Sequence, residues 1–167
     1  MTNPSTTSIA SSSAPTPLPK TFFHGASVLL EIGSVILPGN YGRMIKTAYP
    51  VAPNGSPMQP YREAIFEYAR LALAPQKPSR LNSVFVCDSL PEAVAFRNAA
   101  QPNNVIYEVE ALGDISDSHV ADYTTVDVPT SGQYFEVFNL ARKYWLGPIV
   151  NGKERLLSCP VKIVGIP

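Results

Sequence analysis

Prolines and turn dipeptides cut this chain into pieces, and the lengths of those pieces limit what it can fold into. The 167 residues include 17 prolines. A proline interrupts a helix and is excluded from the middle of a sheet, so each one bounds an element. Pro38-Gly39 and Asn40-Tyr41-Gly42 make 38–42 a turn or loop. Pro50, Pro53, Asn54-Gly55, Pro57 and Pro60 make 47–60 a loop that fits neither the helical nor the strand period. Pro75 and Pro78 stop the helix that Pro60 opens. The apolar runs between these breaks are too irregularly spaced for a wound parallel sheet. The expectation is an α+β fold: a compact split sheet, mixed or antiparallel, with about three helices.

The pieces read as follows. Phe22-Phe23-His24 is a short strand with Gly25 at its exit, and Val35-Ile36-Leu37 is another apolar run. The helix from Pro60 through Ala74 places Glu63, Glu67 and Arg70 on one face and Ile65, Tyr68, Ala69 and Ala72 on another. Asn82 to Cys87 reads as a strand buried on both sides. Ser89 and Glu92 have capping-box spacing for a helix to about Ala100. Val105 to Glu110 alternates apolar and acidic in its second half, as a half-exposed strand does. Residues 113–131 read as a polar loop with a short strand at Thr125 to Val128. Gln133 to Trp145 has helical spacing, with Tyr134, Val137, Phe138, Ala141, Tyr144 and Trp145 on a shared face. Asn151-Gly152 is a hairpin-type turn before closing strands at Glu154–Leu157 and Val161–Val164.

Residues 1–20, mostly Ser, Thr, Pro and Ala with Lys20 the sole charge, bury too little to offset their ordering entropy. A disordered leader is expected, with one domain over 21–167. The leader reads either as a solvated tail or as an export signal, since polar, acid-free leaders resemble those of injected bacterial effectors. Lys plus Arg equals Asp plus Glu, 13 each, so no net field argues for nucleic acid or an anionic membrane. No apolar run approaches the roughly 20 residues of a membrane span. Cys87 and Cys159 lie in apolar strand-like runs and read as small buried thiols. His24 and His119 are the two histidines, and no Cys/His spacing supports a metal site. Phosphate-loop, Rossmann and hydrolase-elbow motifs are absent. Arg142-Lys143-Tyr144-Trp145 reads as a charged helix face beside a core face.

Several short motifs, in order, resemble a known family. Phe22-Phe23-His24-Gly25 followed by Ile32-Gly33-Ser34-Val35-Ile36-Leu37-Pro38-Gly39 is similar to the opening of rifampicin ADP-ribosyltransferases. So are Val84-Phe85-Val86-Cys87-Asp88-Ser89-Leu90-Pro91-Glu92-Ala93 and Cys159-Pro160-Val161-Lys162-Ile163-Val164-Gly165. Pro38 to Arg43, Pro78 to Val86 and Tyr144-Trp145 resemble an uncharacterised bacterial family associated with the same fold. The likeness covers most of 21–167.

This resemblance implies an ADP-ribosyltransferase-like fold that takes NAD as substrate. The acceptor is open: a protein side chain, a nucleic acid or a small molecule. His24 corresponds to the histidine that donates a hydrogen bond to the adenosine ribose. Phe85 falls where the family usually has a tyrosine, and its ring can stack on nicotinamide without offering a hydroxyl. Tyr41 or Tyr107 could supply a replacement. Glu154 would steady the ribosyl oxocarbenium cation, with Glu136 as the rival acid. Gly25 would let the backbone approach the nicotinamide amide, and Arg43 and Arg80 are candidates for the pyrophosphate. Enzymes that modify arginine usually carry Glu or Gln two residues before the acid, and Gly152 stands there instead. The implied protein is a mono-ADP-ribosyltransferase, cytoplasmic or delivered into a host cell as an effector or toxin. The alternatives are a catalytically silent binding or inhibitor module and an NAD glycohydrolase.

Overall fold

The computed structural model describes residues 20–47, 58–126 and 135–167. The leader, most of the 47–60 loop, residues 127–128 of the expected strand and residues 133–134 of the expected helix, Tyr134 included, lie outside them. The described residues form an α+β architecture of four helices and two antiparallel sheets.

The first sheet takes β1 (Thr21–Ala26), β2 (Val35–Ile36), β4 (Val105–Ala111) and β7 (Val161–Gly165) in the order β1-β4-β7-β2. The second takes β3 (Val84–Val86), β5 (His119–Asp122) and β6 (Lys153–Leu157) in the order β3-β6-β5. The two meet at one residue pair: Phe23 N–H donates to Cys87 O at 2.9 Å, and Cys87 N–H to Phe23 O at 2.8 Å. Phe22, Tyr107, Val109, Val161, Ile163 and Leu157 fill the core beside the first sheet. A second core of Phe66, Ala141, Tyr144, Trp145 and Leu156 lies between the second sheet and two helices, α2 (Met58–Leu73) and α4 (Glu136–Leu146).

Several expectations are corrected. Residues 40–42 are not loop: α1 spans Asn40–Thr47, its first bond running from Arg43 N–H to Gly39 O at 3.0 Å. Gly42 is a packing glycine, since a Cβ there would stand 2.0 Å from the Leu81 carbonyl oxygen. α2 begins at Met58 rather than Pro60, and a proline fits because first-turn N–H groups have no helical partner. Its buried stripe is Glu63, Phe66 and Ala69, whereas Tyr68 is exposed. Residues 119–122 are strand, and Tyr123–Val126 is a 3-10 turn where a strand from Thr125 was expected. In α4, Phe138 leaves the buried face.

The closing strands exist but are not a hairpin. β6 pairs with β3 and β5, while β7 pairs with β4 and β2. The chain changes sheets between Leu157 and Val161. α3 (Leu90–Ala100) matches its expected range, and the Ser89 hydroxyl accepts from Glu92 N–H at 3.5 Å. Cys87 and Cys159 are buried free thiols.

Candidate functional site

Strand register decides which side chains can meet. Phe85 lies opposite Leu156, His119 opposite Leu156, and Ala121 opposite Glu154. Residues two apart share a face, so Phe85, Glu154, Leu156, His119 and Ala121 all look toward α2 and α4.

Beneath those helices lies a charge cluster. Arg80 opens the 3-10 turn Arg80–Asn82 just before β3 and is 5% exposed. Its Nε donates to Glu63 Oε2 at 3.0 Å, and its Nη1 donates to Glu154 Oε1 at 2.7 Å. The Tyr144 hydroxyl donates to the same Glu154 oxygen at 2.7 Å. Tyr41 O–H and Arg62 Nη2 reach Glu63 Oε1 at 2.9 and 3.0 Å. The guanidinium also lies among rings, with its carbon 4.7 Å from the Tyr144 centroid and 4.9 Å from that of Phe85.

The electrostatics follow from this crowding. Burial opposes the charge on Arg80, yet Tyr144, Glu63 and Glu154 hold its pKa above the ordinary value. Burial pushes the Glu63 carboxyl up, but Arg80, Arg62 and the Tyr41 hydroxyl outweigh it and leave the pKa low. Burial, then Glu63, drives the Tyr41 phenol up to about 12. Burial raises Tyr144 as well. The cluster is therefore two guanidiniums and at least one carboxylate, bridged by neutral phenols.

His24 sits where the sheets join. Its Nδ1 lies 2.8 Å from the Phe85 carbonyl oxygen. A carbonyl only accepts, so Nδ1 carries the proton. Burial lowers the ring's pKa against the opposing effect of that bond, which favours the neutral form. The other nitrogen, Nε2, is then an acceptor, not the donor that the resemblance implies.

The structure thus links the three expected catalytic residues in a chain of contacts. His24 bonds the backbone of Phe85, the Phe85 ring faces Arg80, and Arg80 binds Glu154. The remaining candidates divide. Tyr41 joins the cluster, with its ring edge-on to Phe85 at 5.2 Å. Tyr107 does not: it is fully buried and ties down the β1–β2 connection, accepting from Leu30 N–H and donating to Val28 O. Arg43 is exposed and bonds Asn40. Arg80 spends three bonds on carboxylates. Gly25 has the Asn104 amide beside it, 3.1 Å from where a Cβ would be. Glu136 accepts from Asn139 of its own helix. It also borders a groove of about 320 Å³ on α4 that none of the three expected catalytic residues lines.

Gly152 is fixed by packing, because a Cβ would fall 2.3 Å from the Tyr123 ring. A side chain two residues before Glu154 has no room, whatever the acceptor. Glu63, Arg62 and Tyr144 were not anticipated as site residues. For Glu63 a signal existed: it shares an i, i+3, i+6 stripe with Phe66 and Ala69.

Among the described residues no group of three His, Cys, Asp or Glu side chains could hold a metal ion. No helix among them is long and apolar enough to cross a membrane. A family model described as "Protein of unknown function (DUF2441)" matches residues 42–166, more than half of the chain, and the chain belongs to that family. No curated protein matches it.

Proposed function

We propose that this member of a family without an assigned activity is an NAD-dependent mono-ADP-ribosyltransferase on an ADP-ribosyltransferase-like fold. The observation that carries the reading is the contact chain from His24 through Phe85 and Arg80 to Glu154, which joins three strands distant in sequence. The order of the motifs resembling that family adds to it.

In the reaction, the bond between ribose C1′ and the nicotinamide nitrogen breaks, and its electron pair leaves with nicotinamide, neutralising the pyridinium. The acceptor's lone pair forms the new bond to C1′, and its proton goes to solvent. Positive charge grows on the ribose in between, and the Glu154 carboxylate is the group that steadies it. His24 Nε2 accepts from a ribose hydroxyl, and the Phe85 ring offers a face to nicotinamide.

A second reading has its own observation. Phe85 lacks the family's hydroxyl, and its ring faces Arg80, whose guanidinium also engages Glu154. A catalytically silent binding module fits that arrangement.

Labelled NAD incubated with the protein and a cell lysate separates the readings. Transferase activity gives both released nicotinamide and labelled acceptor, and Glu154→Gln loses both while keeping NAD binding by calorimetry. Nicotinamide without labelling identifies a glycohydrolase. Binding without turnover favours the silent module. Neither binding nor turnover by a folded protein ends the NAD reading.

A further inference from the structure

Four aromatic rings and two carboxylates converge on one guanidinium. The Arg80 Cζ lies 4.7 Å from the Tyr144 centroid, 4.9 Å from Phe85, 5.7 Å from Phe66 and 6.0 Å from Tyr41. Glu63 and Glu154 hold its edge at 3.0 and 2.7 Å. Ring faces with carboxylates at their rim form the surroundings that bind planar organic cations. They are wrong for a phosphate, which two acids would repel.

The charges agree. Two guanidiniums, Arg62 and Arg80, face two acids, Glu63 and Glu154. If Arg80 leaves, two acids face one guanidinium, a lining suited to a positively charged ligand. The local backbone does not depend on the guanidinium. Ser79 Oγ accepts from Leu81 N–H at 3.2 Å, and Ser83 Oγ donates to Ser79 O at 2.6 Å, so the turn is fastened without it.

We propose that Arg80 is an internal occupant of this cage, standing where a planar organic cation binds, and that ligand entry requires its guanidinium to withdraw. The oxidised nicotinamide ring is such a cation, so the gating half rests on the NAD reading, whereas the cage half does not. The closed arrangement lowers apparent affinity by the fraction of molecules that are open.

The test uses the full chain with Arg80→Ala. Because that change leaves two buried acids without the guanidinium between them, Arg80→Ala with Arg62→Gln and Glu63→Gln serves as the second variant, keeping Glu154 as the acid of the cage. Methylguanidinium is the planar probe and methylammonium the non-planar control, read by the thermal midpoint. The expected result is a saturable rise with methylguanidinium in a variant, little or none with methylammonium, and none for either in the wild type. NAD should bind the variant about tenfold or more tighter than the wild type. If methylguanidinium stabilises neither variant, the cage is overturned. If removing Arg80 weakens NAD binding, the guanidinium is a ligand contact and the gate is overturned. If methylguanidinium stabilises a variant but NAD binds neither protein, the cage stands while the gate falls together with the NAD reading.

Discussion

Acid should destabilise this protein well before its carboxylates protonate, and the cause is His119. The imidazole is 8% exposed and stacks on Trp145 with ring centroids 5.2 Å apart. Its Nε2 lies 3.3 Å from the Tyr144 carbonyl oxygen. Burial, then the nearby Lys77 charge, pushes its pKa down from 6.5 to about 4. The folded state therefore resists the proton that the unfolded chain takes up near pH 6.5. This contribution to stability is fully present above the unfolded value and is lost as pH falls toward the folded one. Integrated between pH 7 and pH 5, the loss is about 2 kcal/mol. That is a large part of a typical stability of about 5–15 kcal/mol. The carboxylates held low by their partners add their losses only below this window; Asp88, held to about 2 by Arg155, is one. His24, also lowered, adds in the same direction. Urea unfolding at pH 7, 6 and 5 measures the slope, and His119→Phe keeps the stacking while removing the titration. Equal slopes for the two proteins between pH 7 and pH 5 would refute the reasoning.

Other substitutions probe separate links. Gly42→Ala drives a methyl group against the Leu81 carbonyl and should cost about 2–3 kcal/mol, read from the shift in the urea midpoint. Trp145→Ala empties a fully buried site and removes the indole N–H that donates to the Phe66 carbonyl at 2.7 Å; a loss of about 3–5 kcal/mol is expected by the same assay. Phe85→Tyr restores the hydroxyl that the transferase reading lacks and should raise nicotinamide release from NAD. Unchanged release would show that this hydroxyl is not what limits turnover.

The elements whose signal is local were legible in the sequence. Ser89 and Glu92 announced α3, and Phe22 to Gly25 announced β1, because caps and short apolar runs act within a few residues. What failed depended on partners far away. Gly42 looks like a turn residue until Leu81 is beside it. Glu63 looks like a solvent-facing acid until Arg80, 17 positions on, meets it in the core. Residues 119–122 look like loop because both of their ends are polar, yet Asp122 accepts backbone N–H groups from Val150 and Asn151. His24, Phe85 and Glu154 could be selected from motif order. The engagement of Glu154 by Arg80 and Tyr144 could not, since it depends on where α2 and α4 come to rest.

The jump from β6 to β7 has a consequence for how the molecule comes into being. Strand β7 runs down the middle of its sheet, between β4 and β2, yet it is translated after both. Until residues 161–165 leave the ribosome, β2 has no neighbour and the sheet is open at its centre. A sheet assembled in this way stays loose until its central strand has been made. A nascent chain halted at Leu157 should be protease-sensitive throughout its first sheet, and one extended past Gly165 should not.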